Sequence, residues 1–216
     1  MVLKEYPKIQ SIFKRDEKTK KFIPGEFSLP VFEYLQDNTW IMTEKIDGMN
    51  IRVGWNGERP YFGGRTRNAQ IPTFLYEKLN DIFLPKIGLM KEVFAIDEDE
   101  PFPYICIYGE GYGAKIQKGG GNYIPDGVDF IVFDIQIGEW WLEREAVENI
   151  SSNLGLDVVP IRMEGAIFDG VRLIKDIGLA SEFGYFWAEG LVLRPKEQLF
   201  TRDGKRVITK IKHKDF

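Results

Sequence analysis

Lys45 stands in a knot of polar residues, Thr43, Glu44, Lys45, Asp47 and Gly48, between the apolar runs Trp40–Met42 and Met49 onward. A lysine used as a nucleophile must shed its proton near neutral pH, whereas a free one titrates at about 10.4. Neighbouring cations disfavour the ammonium and lower that value. Lys210 and Lys212, two apart on one face of a predicted strand, have the charge and spacing for that task and for holding phosphate oxygens. Carboxylates would then carry a divalent metal that neutralises a triphosphate, and an aromatic side chain would hold a base by stacking. Taken alone, a Lys-x-Asp-Gly stretch reads first as a solvated hairpin. The rest of the chain has to separate the two.

Other chemistries find few residues to work with. Gly109-Glu-Gly-Tyr-Gly113 lacks the lysine and hydroxyl of a P-loop and the Gly-x-Gly-x-x-Gly spacing of a dinucleotide site. His213 is the single histidine, which removes histidine-ligated zinc and leaves a catalytic triad dependent on one residue in a basic tail; no Gly-x-Ser-x-Gly elbow occurs. The single cysteine, Cys106, rules out an intrachain disulfide and reads as a buried strand residue. Residues 1–10 are charged and carry Pro7, and no run approaches the length of a membrane span, so a cytoplasmic location is the default expectation. The net charge of -4 argues against indiscriminate coating of nucleic acid. That average conceals a basic segment, residues 194–214, with eight Lys/Arg against two acids, offset by Glu92, Asp97, Glu98, Asp99 and Glu100. The segment reads as a phosphate-binding surface or as an edge strand kept soluble by its lysines.

Elements to position these residues can be placed along the chain. With 216 residues, 44% of them apolar, there is enough for one large domain or two small ones. Residues 1–39 predict a lead-in strand and loop. Two strands joined across a short break surround Lys45, which falls at a strand end. Gly63 and Gly64 permit a bend or close backbone approach, with Arg65 directly after them. Helical spacing runs over Pro72–Leu84 and again over Ile87–Ile96. The apolar run Tyr104–Tyr108 predicts a strand ending in glycines, and Lys118-Gly-Gly-Gly-Asn122 a mobile loop. A β-prone run covers Val128–Ile135, and helices are expected over Leu142–Leu154 and Ala166–Ile177. The chain then returns to strands at Gly190–Leu193 and Arg206–Lys212. The second of these alternates strictly, and Asp203-Gly204 signals a hairpin turn between them. The predicted fold class is α+β, with two twisted antiparallel sheets flanked by helices.

Lys45-Ile-Asp-Gly48 resembles the first motif of the covalent nucleotidyltransferases, the superfamily of DNA ligases, RNA ligases and mRNA capping enzymes. Arg65, Tyr108-Gly-Glu110, Asp129-Phe-Ile-Val-Phe-Asp134, Glu189-Gly-Leu-Val192 and Lys210-Ile-Lys212 follow in the superfamily's order. The resemblance implies an ATP-grasp-like ligase nucleotidyltransferase domain over residues 1–216, with AMP carried on Lys45 as a phosphoramidate. It further implies that Arg65 and Glu110 contact the nucleotide, Glu110 at the ribose, and that Phe133 stacks on adenine. Lys210 and Lys212 would grip the α-phosphate, and Glu189 would hold a Mg2+ or Mn2+ ion, with Asp134 a weaker metal candidate. Thr43, Glu44, Ile46 and Asn50 complete the candidate set. DNA ligases of this type carry an arginine where this chain has Asn50, which looks more like the nick-sealing RNA ligases. The chain stops four residues after Lys212, so no OB-fold or other C-terminal domain is expected. The reading is an ATP-dependent polynucleotide ligase of RNA or nicked duplex ends, an RNA ligase before a minimal DNA ligase. A nucleic-acid-binding module with an inactive site is the alternative of another class.

Overall fold

The computed structural model describes residues 2–96 and 100–216, so Asp97, Glu98 and Asp99 of the expected acidic stretch lie outside the described residues. Strands β1 (Gln10–Ser11), β2 (Phe13–Arg15) and β3 (Phe22–Phe27) come first, then helix α1 (Pro30–Tyr34) and strand β4 (Trp40–Lys45). The middle of the chain supplies β5 (Met49–Trp55), β6 (Pro60–Gly64), α2 (Thr73–Phe83) and α3 (Ile87–Val93). It continues through β7 (Ile105–Gly113), α4 (Gly120–Tyr123), β8 (Val128–Ile137), β9 (Trp140–Trp141) and α5 (Arg144–Asn153). Last come β10 (Ile161–Gly165), α6 (Ile167–Arg172) with a π-helical continuation over Leu173–Ile177, β11 (Gly190–Pro195) and β12 (Thr209–Lys212). These elements divide into two compact units: the first is residues 2–6 and 47–158, the second residues 7–46 and 159–216.

In the first unit the sheet order is β6-β5-β7-β8-β9, antiparallel throughout. Its core joins Ile51, Val53, Ile107, Phe130 and Val132 from the strands to Leu75, Leu79 and Phe83 of α2. Those three recur every four residues, which puts them on one helical face, and burying each contributes about 1.5–3 kcal/mol. The helix begins right after Pro72, whose missing N–H costs nothing at that position. The strand expected to stop at Tyr108 runs on through Gly113, and its glycines are there for packing. A Cβ on Gly109 would lie 2.3 Å from the Phe130 ring, and one on Gly111 would lie 2.7 Å from Leu75. The expected mobile loop at Lys118–Asn122 is instead a turn leading into the one-turn helix α4.

In the second unit the sheet order is β1-β12-β11-β4-β10, with only β1 and β12 parallel, and β2 and β3 form a separate antiparallel pair. Strand β4 lies between β11 and β10 and is buried along its first five residues, which its unbroken apolar start encodes. Trp40 and Met42 meet Leu191, Leu193, Ile211 and the α6 residues Ile167 and Val171 in the core. The pairing expected across the break at Lys45 is not formed. Strand β4 pairs with β10 and β11, whereas β5 pairs with β6 and β7, so residues 46–48 carry the chain from one unit into the other. Lys45 is the last residue of its strand, and Cys106 is a buried strand residue. The alternation over 207–212 also has its physical counterpart. Val207, Thr209 and Ile211 are buried, while Ile208, Lys210 and Lys212 are half-buried. The ladder of β12 starts at Thr209; Arg206 forms an isolated bridge to Phe200 across the turn at Asp203-Gly204. Among the described residues no helix is long and apolar enough to cross a membrane.

Candidate active site

In the second unit, Lys45 on β4 and Lys212 on β12 are both in register with Gly190 on the strand between them. Partners in register share a face of the sheet, so the two ammonium groups flank a residue with no side chain. Only glycine fits there, because a Cβ would come within 2.0 Å of the Ile211 carbonyl oxygen. Glu189, one residue earlier, fills the gap. Its Oε2 accepts from Lys45 Nζ at 2.5 Å and its Oε1 from Lys212 Nζ at 2.5 Å, with the carboxylate side chain 13% exposed. Its main-chain carbonyl accepts the His213 N–H at 3.0 Å. Burial pushes the Glu189 carboxyl up, and this is outweighed by the Lys45 charge and the hydrogen bonds of Lys212 and Lys45, which together hold it below the ordinary carboxylate value. Lys210 lies on the same face two residues along β12, in register with Val192 and through it Thr43. The structure therefore brings Lys45, Lys210, Lys212 and Glu189 to one sheet face. The expected carboxylate, Glu189, is the immediate neighbour of Lys45 and stands between it and the cation Lys212. Two ammonium groups converging on a glycine repel, and the bridging anion offsets that repulsion.

Glu44 points to the opposite face of β4 and is 1% exposed. Its Oε2 accepts from Arg162 Nη1 of β10 at 2.5 Å and from the Glu182 N–H at 3.0 Å, and its Oε1 from Ser181 Oγ at 2.6 Å. Both oxygens of Glu44, expected among the nucleotide contacts, are taken by protein donors. Ile46, also expected there, has a buried side chain at the end of this unit's first segment, and Thr43 is buried on β4.

The first unit holds the second half of the lysine motif. The Asp47 N–H donates to Tyr123 Oη at 3.1 Å, and Gln117 Nε2 donates to the Gly48 carbonyl at 3.1 Å, so the segment around α4 clasps the motif. A Cβ on Gly48 would lie 2.4 Å from the Gly111 carbonyl oxygen and 2.7 Å from Glu110 Cγ. Asn50 on β5 and Glu110 on β7 are in register and share a face. Asn50 Oδ1 is buried with no hydrogen-bond partner among the described residues. An orphaned buried acceptor costs about 1–3 kcal/mol and fits a donor supplied by a ligand. Phe133 is the extra residue of a β-bulge where the β7–β8 register slips, and its ring meets Tyr6 edge-on at 5.0 Å. Asp134 is fully buried and accepts the Tyr6 hydroxyl at 2.7 Å, an enclosed structural acceptor. Arg65 is exposed immediately after β6.

Arg162, Ser181, Gln117, Tyr123 and Tyr6 were not found by sequence reasoning. No local pattern marks them, because each acts on a partner tens to more than a hundred positions away. For a divalent metal, no group of three or more His, Cys, Asp or Glu side chains converges among the described residues. A single ionised carboxylate such as Glu189 suits Mg2+ or Mn2+ that also takes ligand phosphates and water.

An antiparallel α+β fold carrying a lysine at the end of a central strand is the architecture expected of covalent nucleotidyltransferases. The RNA ligase family model matches residues 38–212, most of the chain, and the chain belongs to that family. No curated protein matches the sequence. Among solved structures, a Naegleria gruberi RNA ligase with PPi is similar over 98% of this chain and 58% of its own, with 17% identity and a TM-score of 0.64. A lysine-to-alanine variant of a Naegleria gruberi RNA ligase with ATP and Mn is similar over 98% of this chain and 58% of its own, at 17% identity and a TM-score of 0.65. A second such variant, also with ATP and Mn, covers 99% and 64% at 18% identity with a TM-score of 0.65. At that identity the likeness shows the fold, and this chain spans about three-fifths of the length of these proteins.

Proposed function

We propose that the chain is the adenylyl-transfer part of an ATP-dependent RNA ligase that joins a 5′-phosphate to a 3′-hydroxyl in a cytosolic setting. The observation that carries this reading is the lysine pair bridged by Glu189 in a member of the RNA ligase family. The Naegleria gruberi structures with ATP and Mn or with PPi support the choice of nucleotide.

In the first step the Lys45 Nζ lone pair attacks the α-phosphorus of ATP, the bond to pyrophosphate breaks, and a P–N bond forms. Before that, Lys45 must leave Glu189 and lose a proton. An oxygen of the 5′-phosphate then displaces Lys45, taking AMP, and the 3′-hydroxyl finally attacks that phosphate and releases AMP. Each step is an in-line displacement driven by positioning and charge neutralisation. Lys210 and Lys212 hold the α-phosphate oxygens, Glu110 the ribose, Arg65 the nucleotide, and Phe133 stacks on adenine. Asn50 Oδ1 accepts from the ligand. A Mg2+ or Mn2+ ion held by Glu189 would supply neutralisation of the phosphate charge.

Labelled ATP with magnesium tests the first step. Label is expected on the parent and absent from Lys45→Ala, and label retained by the variant overturns the mechanism. Nicked duplexes with RNA or DNA on the 3′-hydroxyl side then decide between RNA and DNA ends, and sealing of the RNA-ended nick is expected.

A further inference from the structure

The segment from Gly178 to Glu189 forms an arm in which four of five consecutive positions from 183 to 187 are aromatic: Phe183, Tyr185, Phe186 and Trp187. Its two sides are tied together. Ala180 bridges Trp187, the Ser181 N–H donates to the Phe186 carbonyl at 2.8 Å, and the Ala188 N–H donates to the Leu179 carbonyl at 2.9 Å. Tyr185 is fully exposed at the tip and Trp187 is 64% exposed. The Trp187 ring nevertheless has a fixed seat, because it lies over Gly178, where a Cβ would come within 2.8 Å of it. Rings left in water on a hydrogen-bonded arm lose little freedom when they meet a flat ligand.

Both ends of the arm are rooted on the lysine motif. Ser181 and Glu182 hold the carboxylate of Glu44, the residue before Lys45. At the other end Glu189 bridges Lys45 and Lys212, and the exposed His213 and Lys214 follow in the short 3-10 turn after β12. Glu182, the one acid on the arm before Glu189, faces Arg162 Nε at 3.2 Å. The arm thus offers exposed aromatic faces beside a root of phosphate-binding cations, the combination that takes single strands and unpaired ends of nucleic acid.

We propose that this aromatic arm is a stacking platform for the polynucleotide end that receives the adenylyl group, with Tyr185 and Trp187 as its base contacts. This rests on the ligase reading for the identity of the ligand. Loss of either ring is expected to weaken binding about tenfold, or about 1.4 kcal/mol.

The experiment compares the full chain with Tyr185→Ala, Trp187→Ala and Trp187→Phe. A fluorescein-labelled nicked RNA duplex whose 5′-phosphorylated end is left unpaired at the nick reports binding by anisotropy, and labelled ATP reports adduct formation. Both alanine variants are expected to bind the duplex about tenfold more weakly. Trp187→Phe recovers most of the loss, and adduct yield stays within about twofold of the parent. Unchanged binding in the alanine variants overturns the platform. So does an adduct yield that falls as far as the binding, since the arm then acts through Glu44 on Lys45. A parent that takes no label from ATP fails the ligase reading alone, and the binding comparison still decides the platform.

Discussion

Replacing Arg162 by methionine strips one of three donors from a carboxylate that has almost no access to water. Glu44 accepts from Arg162, Ser181 and the Glu182 N–H. Removing one partner of a buried ion pair costs about 3–5 kcal/mol, because a desolvated charge is left behind. A single hydrogen bond to a charged group accounts for about 1.5–3 kcal/mol. Ser181 and the Glu182 amide remain in place, which puts the expected loss near the overlap of those ranges, about 3 kcal/mol. For a chain of this size that corresponds to a fall in Tm of roughly 6–12 °C. The assay is urea unfolding of the parent, Arg162→Met, Glu44→Gln and the double variant. If the pair is coupled, the double variant loses less than the sum of the singles by about 1–3 kcal/mol. Because Glu44 precedes Lys45 on β4, adduct formation from ATP should also slow in Arg162→Met at temperatures where it stays folded. A loss below about 1 kcal/mol, or strict additivity in the cycle, refutes the assignment of Glu44 as a buried anchor.

Glu189 gives a pH prediction. Its carboxyl titrates below the ordinary value of 4.5 in the folded chain, so its ionised form stabilises the fold above that pH, and the contribution is lost as pH falls toward the folded value. Glu189→Gln should therefore flatten the acid limb of a stability-versus-pH curve below the ordinary carboxylate range, and superimposable limbs would sink the argument. Tyr123→Phe removes the acceptor of the Asp47 amide and should cost about 1 kcal/mol in urea unfolding and slow adduct formation; unchanged kinetics would show that the clasp does not position the motif. Gly109→Ala forces a methyl group to within 2.3 Å of the Phe130 ring and should cost about 1–3 kcal/mol in thermal unfolding, whereas a stability equal to the parent's would mean the ring yields freely.

What was legible in the sequence follows from what is locally encoded. The helix over Thr73–Phe83 and the alternation through Ile211 are periodic, and periodicity is set by which face meets a core. A glycine run carries no apolar signal, so the sequence predicts a strand end where β7 continues. The reason for these glycines is the volume of Phe130 and Leu75 from other elements. Of the candidate site, the types and order of Lys45, Glu189, Lys210 and Lys212 were readable. The bridge between them was not, because it depends on strand order β12-β11-β4, which no spacing states. Glu44 is a nucleotide-binding candidate in the sequence, and no spacing shows which way its side chain points. Neighbours on a strand point to opposite faces, and its partner Arg162 lies 118 residues away.

The missing hairpin at Lys45 explains why the motif has the composition it does. Two consecutive strands separated by three residues pair by default, but here each has better partners in a different sheet, and the three residues become a crossing. A crossing cannot rely on ladder hydrogen bonds, so its backbone groups need other partners. Tyr123 takes the Asp47 N–H and Gln117 takes the Gly48 carbonyl, while Lys45 itself is the last residue held by β11. Gly48 is required because Gly111 and Glu110 leave no room for a Cβ. On this account the motif's glycine and the spacing after the lysine are set by the way the chain leaves one sheet and enters the next. Lys45 occupies the one position that is anchored as a strand residue yet followed at once by backbone outside the sheet.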